Sequence, residues 1–494
     1  MNDTTQLKKS RRWPYVLLII FAVVVGSIGY IIYTIKQLTP ESIVQSSFVQ
    51  QQIINSVGEE YRDVIEHAPV LLGFEEPKTY LILFLNNTEM RPGGGFIGSY
   101  ATVRMTKGHP EVLVLEGTEV LDGGAPKDWR VEPPAILTKE LGVDRWYFRD
   151  SNWDPDFASN ATRLLNFYSA EQGVAAEDID MVIAVTPTVL EAVMKRVGNV
   201  ELQGLTFTPE NVVEVLEYDV EYGYEKRGIS FADRKQIMQP FFHVLVEHLQ
   251  QDVLLHPKEY LALVRGLIDQ KHIMAYSTDA AITSIIDEMH AAGKVAQTEK
   301  TADYLLWVDA NLAALKTDHA MTRVLSYTIV PQETGLLLAT ANMTYTNNGV
   351  FDWRTTRYRT FARVYVPEGA VLKHAILTDA QGRERMILAE DIEQGRQFEK
   401  QWFGYFTVIE PGDTEALAFV YELPSAITTQ IATGSYHLTL QKQLGLPTMG
   451  FIMNAQFTKP VQRATPAEEQ QHWGDNTYTF TKELTEDVSF DIGL

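Results

Sequence analysis

Cysteine is absent from all 494 residues. That single lack removes thiol nucleophiles, thiolate metal centres and structural disulfides together. The fold must therefore rest on buried apolar surface. Basic residues are scarce as well: 42 Lys and Arg stand against 64 Asp and Glu, a formal charge of −22. With no basic stripe to neutralise a phosphate backbone, a nucleic-acid partner is not expected. Familiar catalytic signatures are also missing. There is no GxSxG elbow, SxxK pair or GxGxxG turn, and His243 and His248 are spaced wrongly for HExxH. Metalloprotease, serine hydrolase and dehydrogenase chemistry is disfavoured on that ground.

Charge is missing from residues 13–35, and here the gap is informative. An uncharged run of about 23 residues is long enough to cross a bilayer as a helix. Trp13, Tyr15, Tyr30 and Tyr33 lie near its ends, where amphipathic rings prefer the headgroup layer. Lys8, Lys9, Arg11 and Arg12 precede it and only Lys36 follows closely, so the positive-inside rule puts the N-terminus in the cytoplasm. The run is too long for a signal-peptide apolar region and no Ala-x-Ala site follows, which reads as a permanent signal anchor. The part outside carries about −26 once the basic residues and Asp3 of the first 36 are set aside.

Four segments follow from the pattern. Residues 1–36 are the cytoplasmic tip and anchor, and 37–77 are a helical stalk with apolar residues at helical spacing. Residues 78–317 alternate strands at 80–86, 96–105, 111–119 and 181–185 with helices near 158–171, 187–197 and 232–249, and 257–316 reads as mostly helical. This predicts an α/β layer fold with a helical extension. Residues 318–494 hold short alternating runs separated by turns such as Asn347-Asn348-Gly349 and Pro411-Gly412-Asp413, as expected of an all-β sandwich. Residues 477–490 read as a last hairpin.

Three stretches carry candidate chemistry. Arg91-Pro92-Gly93-Gly94-Gly95 joins two strand-like runs, and three glycines beside an arginine leave backbone N–H groups open to an anion such as phosphate. It lacks the lysine and the following helix of a nucleotide P-loop. The plain alternative is a tight hairpin with an arginine on its surface. The second stretch runs from Trp146 to Phe157 and contains Arg149, Asp150, Asp154 and Asp156. Its three carboxylates are oxygen donors suited to Mg²⁺ or Ca²⁺, although the order is not that of an EF-hand. Two of them, Asp150 and Asp154, also suit a glycosidase acid and base. The plain alternative is an Arg–Asp pair tying down a loop of buried aromatics. The third stretch places Arg227, Arg234 and Lys235 around a helix start, another setting that favours an anion; a surface Asp233–Arg pair is the plain alternative.

Taken in order, RPGGGFIGSY, FRDSNWDPDF, the 180–185 strand with Pro187, FADRKQ, and the stretches 310–318 and 440–445 resemble the bacterial domain-of-unknown-function 4012 family. A more distant similarity is to the LytR-CpsA-Psr family of membrane-anchored cell-wall phosphotransferases. Arg91 resembles that family's first arginine, Arg149-Asp150 its Pro-Arg-Asp motif, and Arg227 with Arg234-Lys235-Gln236 its late arginines. Pro92 and Gly93 depart from the Ser/Thr-Asp expected after the first arginine. The resemblance implies a mixed sheet with helices and a polyprenyl-(pyro)phosphate glycan gripped by Arg91, Gly93, Gly94, Gly95, Arg149, Arg227, Arg234 and Lys235. It implies Mg²⁺ on Asp150, Asp154 and Asp156, with Arg149 and Asp150 catalytic in transfer of a glycopolymer to a cell-wall acceptor. The setting would be a bacterial cell membrane, with the lipid bilayer and a polyprenyl-linked glycan or cell-wall polymer as partners. The competing expectation is a non-catalytic surface adhesion or scaffold protein that retains the fold.

Overall fold

The computed structural model describes residues 46–226, 228, 238–333, 335–468 and 473–494. The expected membrane anchor lies outside them. So do Arg227, Arg234 and Lys235. Among the described residues no helix is long and apolar enough to cross a membrane. The fold is mixed, with helices around one sheet and two further large sheets after it.

The first sheet has five strands in the order β3-β2-β1-β4-β7: His109–Gly117, Phe96–Thr106, Lys78–Asn86, Met181–Val185 and Ile273–Ser277. β1 runs parallel to β4 and antiparallel to β2. Its two faces follow the period of two that a pleated strand imposes. Tyr80 and Ile82 enter one apolar cluster, packed by the helices Pro187–Val197, Met238–Leu255, Pro257–Asp269 and Ala280–Glu288. Leu81, Leu83 and Leu85 enter the other, against Leu164, Phe167 and Tyr168 of the helix Phe157–Ala170. Both faces are covered, so β1 reads as an unbroken apolar run.

Residues 47–71 depart from the expected stalk. Helices Ser47–Val57 and Arg62–Leu71 break at Gly58 and pack on each other, with Ile54, Val57, Ile65, Leu72, Phe74 and Leu261 in one cluster. They belong to the body of the α/β unit.

Two seven-stranded sheets follow. Their central strands include β8 (Asp303–Val308), β9 (Met321–Pro331), β10 (Leu337–Asn347), β11 (Tyr358–Pro367), β16 (Thr414–Glu422), β17 (Ser435–Gln441) and β18 (Met449–Gln456). One apolar core fills the space between the sheets, drawing Leu325, Tyr327 and Phe419 from one and Trp307, Val364 and Phe403 from the other. β10 alternates buried and half-buried residues along its whole length, the mark of a sheet with one covered face. β8 is buried on both faces. Its outer face is covered by the α/β unit through Ile136, Leu137 and Trp153 near Ala310, Leu312 and Phe361, and through Val295 near Tyr304, Leu306 and Val308. β8 therefore belongs to the sandwich although it precedes residue 318, and β7 also interrupts the region expected to be helical. The expected last hairpin is corrected too. β20 (Thr477–Leu484) pairs with β18 in one sheet, while β21 (Val488–Gly493) pairs with β17 in the other.

Candidate functional site

The loop between β1 and β2 crosses into the sandwich. Met90 is fully buried in the sandwich core, its N–H donates to Asp318 Oδ2 at 2.9 Å, and its carbonyl accepts the Asn311 N–H at 2.9 Å. Arg91 comes next and is only 3% exposed. Its Nη1 donates to the Asn311 carbonyl at 2.6 Å, and its Nη2 reaches Glu89 at 3.2 Å and Asp150 at 3.4 Å. The guanidinium also lies over the Phe96 ring. Burial pushes the Glu89 carboxyl up, against the pull of Arg91.

The glycines make this crossing possible. The Gly93 N–H donates to the Asn152 carbonyl and the Gly94 N–H to the Arg91 carbonyl, while Asn152 Nδ2 donates to the Gly95 carbonyl. The backbone donors of Gly93 and Gly94, expected to cradle an anion, are thus used inside the protein. Gly94 has φ +112° and faces Gly445, φ +70°, so closely that a Cβ on Gly445 would collide with the Gly94 carbonyl. A Cβ on Gly94 would lie 3.6 Å from the Gly445 nitrogen, an ordinary contact, so at this approach the restriction falls on Gly445. Leu444 lies in the core of the α/β unit and Leu446 in the core of the sandwich, while Asn87 Nδ2 donates to the Gly445 carbonyl at 2.9 Å.

The second stretch is built the same way. Phe148 and Phe157 fill the α/β core and Trp153 the interface. Asp154 pairs with Arg163 and accepts from Gln397 Nε2 at 2.6 Å. Asp156 caps the helix Phe157–Ala170 by accepting the Ser159 N–H at 2.9 Å, and its other oxygen accepts the Val295 N–H at 2.9 Å. Asp150 faces Arg91. These carboxylates do not fit a shared Mg²⁺: the oxygens of Asp154 and Asp156 are taken by protein donors on different elements. Among the described residues no group of three or more His, Asp or Glu side chains is arranged to hold a metal. Arg149 departs from the pattern. Its Nε sits on Asp122 while its side chain stays 38% exposed.

Residues 75–221 match the family described as "Protein of unknown function (DUF4012)". This stretch belongs to that family. Arg91, the three glycines, Arg149 and the three aspartates all lie within the DUF4012 segment, whereas Asn311, Asp318 and Gly445 lie beyond it. No curated protein matches the chain. Among solved structures, a candidate nutrient-binding protein of Legionella pneumophila is similar at 9% identity and TM-score 0.26, over 39% of this chain and 71% of that one. A candidate protease of Parabacteroides distasonis gives 8% and 0.20, over 36% and 41%. An M1 zinc metallopeptidase of Deinococcus radiodurans gives 13% and 0.17, over 37% and 43%. Likeness at this level says nothing of activity.

Other residues of the junction were not singled out from sequence. Arg323 is buried and pairs with Asp309 at 2.9 Å and with Asp318, while Tyr345 and Tyr358 donate to the same two aspartates at 2.6 and 2.9 Å. Burial lowers the Arg323 charge preference, but the surrounding acids and phenols outweigh it and raise its pKa. Gln443 bridges the units, accepting the Asp309 N–H at 2.8 Å and donating to the Arg91 carbonyl at 3.2 Å. The only hint in the sequence was that 310–318 and 440–445 stood among the motifs in family order.

Proposed function

We propose that this chain is a non-catalytic adhesion or scaffold protein of the cell envelope, held to the membrane by the apolar run at 13–35. In this reading the α/β unit and the sandwich act as one rigid body. The observation that carries it is the use of Arg91: at 3% exposure its terminal nitrogens are bonded to Asn311 across the junction and to Glu89 and Asp150 within the α/β unit. A phosphate reaching it would have to displace these partners and open a packed interface. The internal bonds of Gly93 and Gly94 and the separate bonds of Asp154 and Asp156 support the same reading.

A second reading is favoured by Arg149 alone. Half-exposed and oriented by a buried acid, it is suited to one anionic headgroup, as the distant resemblance to cell-wall phosphotransferases implies for a polyprenyl phosphate. The experiment is mass spectrometry of lipid extracted from the full-length protein in mild detergent, beside Arg149→Ala. No polyprenyl phosphate in either sample is the expected result. Lipid retained by the parent and lost in Arg149→Ala would overturn the scaffold reading in favour of the second.

A further inference from the structure

Beneath Arg149 lie two buried acids that none of the motifs includes. Asp122 closes the short helix Thr118–Asp122, and Glu171 sits at the C-terminal end of the helix Phe157–Ala170. Glu171 Oε1 accepts the Phe148 N–H at 3.0 Å, and Asp122 Oδ2 takes the Arg149 guanidinium. The other two oxygens, Asp122 Oδ1 and Glu171 Oε2, are buried with no donor to satisfy them. Phe148 and Arg149 are consecutive, so the two carboxyl groups meet at one turn, where each acts on the charge of the other. A pair of carboxylates in such contact repels unless a proton lies between them. Glu171 also sits at the negative end of its helix dipole, an unfavourable place for an anion.

We infer that Asp122 and Glu171 share one proton, and that this proton latches the Phe148–Asp150 turn onto the α/β unit. With the proton in place both orphaned oxygens are satisfied, and Asp122, Glu171 and Arg149 together are neutral. Without it a net negative charge is left in a site where Glu171 is 1% exposed. Among the described residues the groups facing the pair supply no second cation. Tyr100 and Tyr168 pack against Phe148, and Glu116 accepts the Tyr100 hydroxyl. Burial, helped by Asp122, pushes the Glu171 carboxyl up to about 8. Its folded pKa therefore lies above its unfolded one, so folding takes up a proton, and the stabilisation is lost as pH rises through about 8. This inference goes beyond the scaffold reading and holds whether or not a lipid binds.

Hydrogen exchange read by mass spectrometry on the full-length protein tests it, following the peptide 145–151 at pH 6.5 and 9.5 with exchange corrected for intrinsic rate. Proton linkage predicts that wild-type protection falls about thirtyfold across that interval. Glu171→Gln, which donates a hydrogen without titrating, is expected to stay protected at both values. Should that variant fail to fold, Asp122→Asn removes the second acid and its repulsion while burial still acts on Glu171, so its fall in protection must be smaller than that of the wild type. An equal fall in wild type and variant, or no fall in wild type, overturns the shared proton.

Discussion

The glycine loop and the Phe148–Asp150 turn each carry an arginine flagged by sequence, yet the two arginines do opposite things. Arg91 is sealed between two units, with a sandwich carbonyl and two carboxylates around it. Arg149 stands at the surface on a pair of acids that stays within its own unit. The difference lies in what each backbone meets. At 93–95 the absence of side chains lets a second chain segment approach to contact, and that segment closes the site. At 148–150 an aromatic core pulls Phe148 inward and leaves Arg149 outside. A glycine-rich loop beside an arginine is thus as well suited to joining domains as to holding phosphate.

The contrast is broken hardest at Arg91. Arg91→Ala leaves Asp150 and Glu89 without their cation in a buried setting, and the loss of stability expected on breaking a buried ion pair is about 3–5 kcal/mol. Arg149→Ala, partly exposed, is expected to lose under about 1 kcal/mol. Urea unfolding of both variants checks the pair, and equal losses would erase the distinction. Gly445→Ala comes next. A Cβ there meets the Gly94 carbonyl at a left-handed φ of +70°, so overpacking with strain should remove roughly 2–4 kcal/mol. The change is expected to loosen the units from each other before either core melts. Hydrogen exchange at 87–95 and 442–446 should therefore rise ahead of exchange in β1 and β10; simultaneous loss would argue against a discrete junction.

Much of the scaffold was legible in the sequence because local patterns decide it. β1, β4 and the helix Pro187–Val197 announce themselves through apolar runs, turn residues and Pro187 at the first helical position. β8 did not, because its six-residue run has no alternation and, unlike β1, no glycine-rich turn after it to set it apart from a helix segment. The pairing of β20 and β21 with different sheets was invisible for another reason: three linking residues suit a hairpin as well as a crossing between sheets. At the candidate site the unusual residues were visible and their partners were not. Arg91 meets Asn311 220 positions away, and Asn87 meets Gly445 358 away. Local sequence chemistry gives a residue's capacity, whereas these distant contacts determine how it is used. The Asp122–Glu171 pair escaped altogether, because neither acid lies in a motif.

A final measurement sharpens the comparison through pH. Lys442, beside the Gly445 turn, is fully buried and donates to the Gln443 carbonyl at 3.3 Å and to the Leu446 carbonyl; among the described residues no carboxylate bonds its ammonium, although the Asp487 charge acts on it. Burial pulls its pKa down to about 7. Folding therefore releases a proton between about 7 and the ordinary lysine value, and this contribution to stability grows as pH rises through that window. Its sign is opposite to that of Glu171. Lys442→Met removes the dependence, so the wild type should gain on the order of 2 kcal/mol over the variant between pH 7 and pH 9 in urea unfolding. Parallel curves for the two proteins would mean that Lys442 keeps its charge in the fold, through a contact other than these carbonyls. A converging pair would show the junction favouring alkaline conditions while the Arg149 turn favours acid, so that the two arginine-bearing regions differ in proton balance as well as in exposure.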